Sequence, residues 1–150
     1  MNRIILRAKL FGLQTNRSYS ERFLHHILEA ITRAGVDYLH FNPDTPLLYK
    51  AGVKYQREST RLRGVNDSPS VEDWKDIPTT LADKKGDCED LGTWRAAELR
   101  KRFNIFAHAF LIWTVYRGQT VFHVTARYRK ADGSMVIEDP SKVLGMGGIA

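Results

Sequence analysis

Three apolar stretches, Ile105 to Tyr116, Val121 to Arg129 and Met135 to Glu138, follow one another with little between them: the reversal at Arg117-Gly118 and the turn Ala131-Asp132-Gly133. Connections this short join antiparallel neighbours, because a parallel pair needs a crossover of a dozen residues or more. Just upstream, Leu91, Ala96, Leu99 and Phe103 recur at helical spacing, which predicts a helix from Asp87 or Cys88 to about Arg102. A helix packed on an antiparallel β-meander is an α+β arrangement. At 150 residues the chain has room for one domain with its own core.

The first 40 residues read as a helical extension of that domain. Leu24, Ile27, Leu28 and Ile31 form an apolar stripe on a helix predicted over Ser20 to Ala34, with Ser18 and Glu21 as a capping box and Gly35 as its stop. His25 and His26 are adjacent and point in different directions, so both read as structural or solvent-facing rather than as a metal pair. Asn42 to Pro46 is a turn-rich break, and Arg57 to Ser70 reads as a polar surface loop. Pro78 opens a short helix through Ala82, ended by Gly86.

Composition narrows the function. Hydrophobic residues make up 43% and charged residues 27%, with no apolar run of membrane-spanning length. The N-terminus begins like a signal peptide but is broken at once by Arg7 and Lys9, so a cytosolic, non-exported protein is expected. With a single cysteine, neither an internal disulfide nor a Cys-rich zinc site can form. The five histidines show no ligand spacing, so neither metal nor cofactor is expected. All of the net charge of +6 lies in residues 1–66. No basic run is interleaved with stacking aromatics, so a solvated face is favoured over a nucleic-acid surface.

Cys88 at a helix start is the natural nucleophile. The helix dipole lowers a thiol pKa, while Asp87, Glu89 and Asp90 work against it and leave activation to a base. The Cys88 backbone N–H lies in the first turn, free to serve as half of an oxyanion hole. Strand alternation puts His123 with Val121, Thr125 and Arg127 on one face. With a three-residue loop and Gly133 left-handed, Lys130 pairs with Ser134, Thr125 faces Asp139, and His123 is the diagonal neighbour of Asp139. A two-residue Asp132-Gly133 turn would send Asp139 to the other face. On spacing alone, a packed cysteine, a core histidine and a turn-forming aspartate describe the same residues.

The motifs add a resemblance. Lys85-Gly86-Asp87-Cys88-Glu89-Asp90-Leu91 with Ala96, Ala97 and Leu99, then Phe122-His123-Val124, then Glu138-Asp139-Pro140-Ser141, resemble the transglutaminase-like superfamily, closest to short members encoded by tailed phages and prophages. The resemblance spans about residues 47–146. It implies a papain-like core, a Cys88–His123–Asp139 triad and a second oxyanion donor from an upstream side chain, Tyr55 with Gln56 as the alternative. The implied activity is acyl transfer on an amide or peptide bond through a thioester. Hydrolysis is favoured over amine-accepting transglutamination. The implied partners are a protein or peptide substrate and other phage structural proteins, in the host cytoplasm or on the virion. The rival reading is a non-catalytic assembly protein that keeps the fold as a binding module.

Overall fold

The computed structural model describes residues 5–11, 20–57, 71–116 and 119–147. In chain order these form β1 (Arg7–Phe11), α1 (Glu21–Phe41), a 3-10 turn (Leu48–Lys50), β2 (Lys54–Tyr55), β3 (Val71–Lys75), α2 (Ile77–Asp83), β4 (Lys85–Gly86), α3 (Cys88–Phe103), β5 (His108–Tyr116), β6 (Gln119–Arg129), β7 (Met135–Glu138) and α4 (Pro140–Val143). The architecture is mixed α+β. β5, β6 and β7 form an antiparallel meander, β1 pairs antiparallel with β3, and β2 pairs parallel with β4. Among the described residues no helix is long and apolar enough to cross a membrane.

α3 is the hub. Cys88 packs with Leu24, Leu28, Trp74, Leu111, Phe122 and Val124 on one side, while Leu91, Trp94 and Ala97 pack with Leu39, Leu48 and Ile77 on the other. A helix buried on two sides cannot keep a clean polar face, and only Arg95 interrupts the buried run from Cys88 to Leu99. Leu91, Ala96 and Leu99 are buried as their spacing predicts, whereas Phe103, at 48% exposure, lies past the point where the helix leaves the core. The first 40 residues contribute more than a helix: β1 joins a sheet, and α1 packs in the same core as Cys88.

Two expected stops are displaced. α1 runs through Gly35 to Phe41 and ends at Asn42, whose backbone N–H donates to the Tyr38 carbonyl. The glycine is a packing residue there, since a Cβ would sit 2.9 Å from the Ala97 Cβ of α3 and 3.0 Å from Ile77 Cδ1. The helix is capped by Ser20, whose hydroxyl accepts from the Phe23 N–H at 3.1 Å; Ser18 lies outside the described residues. Likewise α2 ends at Lys84 in the left-handed conformation, and Gly86 continues into β4, where a Cβ would meet Asp90 Cβ at 3.0 Å. Gly35→Ala should therefore destabilise the fold by about 1–3 kcal/mol, because the methyl opposite is fixed to a helix backbone and cannot yield. Urea unfolding reads this, and a neutral or stabilising result would show that α1 and α3 are free to separate.

Candidate active site

The site is assembled where the start of α3 packs against β6. Asp87 caps the helix: its carboxylate accepts the Cys88 N–H at 2.7 Å and the first-turn N–H of Asp90, and Asp90 in return accepts the Asp87 N–H at 3.1 Å. This reciprocal capping box corrects one expectation. The Cys88 amide, read from sequence as a free oxyanion donor, is already held by the neighbouring carboxylate.

The thiol itself points inward, at 4% exposure. Its Sγ donates to Glu89 Oε2 at 3.3 Å. Burial pushes the Cys88 thiol well up, reinforced by the negative charges of Asp87 and Glu89 and opposed by a hydrogen bond from the Val124 backbone. The local acids and the desolvation therefore outweigh the helix dipole, and the resting sulfur is a neutral thiol.

Glu89 works against the thiolate as its position suggests, but it lies deeper than a first-turn acid ordinarily does. It is 1% exposed, its Oε1 has no hydrogen-bond partner among the described residues, and burial with the nearby Asp87, Asp90 and Glu72 charges pushes its carboxyl well up. A charged residue in a first turn is ordinarily solvated, so its place in the sequence carries no sign of this depth. One donor atom each from Asp87, Cys88 and Glu89 lies within 4.8 Å of the others. A cation there would displace the capping hydrogen bonds and sit at the positive end of a helix.

His123 and Asp139 are brought together: the ring Nε2 and Asp139 Oδ2 are 2.8 Å apart. The chain achieves this through the three-residue loop. Gly133 takes φ +86°, Lys130 N–H donates to the Ser134 carbonyl at 2.9 Å, and the ladder places Ala126 opposite Glu138. The next residue, Asp139, therefore lands on the His123 face. Burial works to raise the Asp139 carboxyl, but the His123 hydrogen bond and the His123 and Lys142 charges outweigh it and hold it below the usual carboxylate range. An ionised Asp139 can only accept, so in the neutral imidazole the proton sits on Nε2 and Nδ1 carries the lone pair. Among the described residues Nδ1 makes no hydrogen bond.

The ladder also explains how the sulfur meets this strand. Lys130 and every second residue before it direct their N–H groups towards β7, but β7 ends opposite Ala126. Val124 is the next such residue, so its N–H lies beyond the end of β7, and Cys88 packs against Val124. Cys88 thus reaches the open edge of β6 at the residue following His123. Among the described residues it makes no hydrogen bond to the imidazole in this state.

Tyr55 is placed beside the nucleophile by β2, which pairs with Lys85 and Gly86 immediately before it. Burial, and then the Asp87 charge, push its phenol up, so it remains a protonated donor. Gln56 anchors the same contact through its backbone, donating to the Gly86 carbonyl at 2.9 Å. Trp74 and Trp94 are core. His25 is structural: its Nε2 takes the Leu111 N–H at 3.1 Å. His108 lies on the surface against Phe106 and Arg100.

Comparison with protein-family models, with curated proteins and with solved structures finds no match to this chain.

Proposed function

We propose that this chain is a cysteine-dependent acyl-transfer enzyme with a transglutaminase-like, papain-like core. Its reaction is hydrolysis of an amide or peptide bond, and its setting a phage or prophage one, in the host cytoplasm or on the virion. The observation that carries the reading is the His123–Asp139 hydrogen bond, built on the strand residue next to the one that meets the Cys88 sulfur.

The chemistry follows from the resting state. A neutral thiol must lose its proton during attack, so the sulfur turns from Glu89 to the free Nδ1 of His123. As the S–C bond forms, Nδ1 takes the thiol proton and the carbonyl π electrons move onto oxygen. Asp139 holds the ring and stabilises the imidazolium. Tyr55 donates to the oxyanion, with the Cys88 amide available only once Asp87 releases it. Collapse expels the amine, which carries away the proton from Nδ1 and leaves the thioester. Water then attacks, giving its proton to Nδ1, and the thiol leaves with that proton. An amine in place of water would give transamidation.

Acetylation by p-nitrophenyl acetate tests this without knowledge of the natural substrate. The wild type should show a burst of nitrophenolate and one acetyl adduct on Cys88 by mass spectrometry, and His123→Ala should remove the burst. One observation favours the rival binding-module reading, namely that the thiol is sealed in and bonded to Glu89. If Cys88 acetylates in urea but never in the folded protein, that rival stands.

A further inference from the structure

The nucleophile and its His–Asp pair stand on different elements, and a hydrogen-bonded tie joins those elements away from the sulfur. Glu138, the last residue of β7, precedes Asp139 and projects to the opposite face of the meander, the face that packs on α3. There its Oε1 accepts from Arg95 Nε at 2.7 Å and from the Tyr49 hydroxyl. Arg95 is seven residues after Cys88 on α3, two turns and about 10 Å along the same face. Its NH1 donates to the fully buried Glu98 at 2.7 Å, and Glu98 accepts the Leu48 N–H at 2.8 Å. The guanidinium also lies 4.8 Å from the centre of the Tyr49 ring. These bonds join α3, the 3-10 turn and the end of β7.

We infer that Arg95, Glu138 and Tyr49 are positioning residues: they pin the end of β7 to the helix that carries Cys88 and so set where Asp139 presents His123 to the sulfur. The inference rests on the acyl-transfer reading for its purpose but not for its test. Glu138 is held on the inner face and Asp139 on the outer, so adjacent residues of one strand end are gripped from both sides. A charge-assisted bond to a partly buried carboxylate is strong enough for the task. Release of Glu138 would let the strand end drift, and misplacement by about 1 Å costs on the order of 10²-fold in rate.

The test has two independent readouts. One is the low-field imidazole N–H proton of His123 by NMR, which reports the bond to Asp139 whether or not the protein turns anything over. The other is kcat against KM for p-nitrophenyl acetate. Arg95→Ala should weaken or abolish the low-field signal and lower kcat on the order of 10²-fold with little change in KM. Adding Asp139→Ala to it should cost little more, since the two act as one unit. Arg95→Ala also leaves the buried Glu98 carboxylate without its cation, a change that can unfold the protein, so Glu138→Gln and Tyr49→Phe serve as milder variants. Each should reduce the signal in part, and Arg95→Lys should restore part of what Arg95→Ala loses. An unchanged signal in folded Glu138→Gln and Tyr49→Phe, or rate losses of Arg95→Ala and Asp139→Ala that multiply, would overturn the inference. A signal that responds as described in a protein without turnover would instead keep the brace and remove the enzyme.

Discussion

Cys88→Ala should reduce turnover to background, His123→Ala should come close behind, and Asp139→Ala should keep more than either. The first removes the atom that forms the thioester. The second removes the group that takes the thiol proton and returns it to the amine, a loss on the order of 10⁴- to 10⁶-fold in kcat for either. Asp139→Ala leaves both reacting groups and takes away only the 2.8 Å bond that fixes the ring and its tautomer, so its loss should be about a hundredfold smaller. The double variant Cys88→Ala/His123→Ala should be no worse than Cys88→Ala, because the residues work as a unit. Tyr55→Phe should cost on the order of 10²-fold through a lost oxyanion donor. None of these changes opens a large cavity, so circular dichroism should show folded proteins throughout. A folded Cys88→Ala as active as the parent would end the catalytic reading.

Glu89→Gln should make the protein more stable at neutral pH, by about 1–3 kcal/mol, with the gain vanishing near pH 4. Glu89 is buried beside Asp87, Asp90 and Glu72, so its carboxyl titrates well above the ordinary 4.5 in the folded state. The folded chain therefore binds the proton more tightly than the unfolded one. Stability from this source is full below about 4.5 and is lost as pH rises towards the folded value. Glutamine keeps the acceptor for the Cys88 thiol and has no charge to desolvate, so the variant escapes that loss. Asp139 acts with the opposite sign: its carboxyl is held low, so its contribution is present above 3.8 and lost as pH falls through the folded value. Urea unfolding of both proteins from pH 4 to 8 separates the two. A difference between them that does not grow with pH would mean that Glu89 is not buried in its uncharged form.

Sequence alone determines whatever two or three neighbouring residues decide between them. The meander followed from loops too short to cross over, and the alternation of His123 with Thr125 followed from the pleat. The start of α3 near Cys88 followed from the helical spacing of Leu91, Ala96 and Leu99, and the reciprocal Asp87–Asp90 box was found only in the structure. Both turns between β6 and β7 were compatible with Ala131-Asp132-Gly133, and the assembled sheet selected the three-residue loop that delivers Asp139 to His123. Gly35 and Gly86 looked like helix stops because glycine commonly is one; their true role needed the positions of Ala97 and Asp90, which no local pattern carries. The capture of the Cys88 amide by Asp87 and the inward turn of Glu89 were decided at the same level. A charged residue in a first turn is ordinarily solvated, and only the packing of α3 on both sides removes the water and makes these acids govern the thiol.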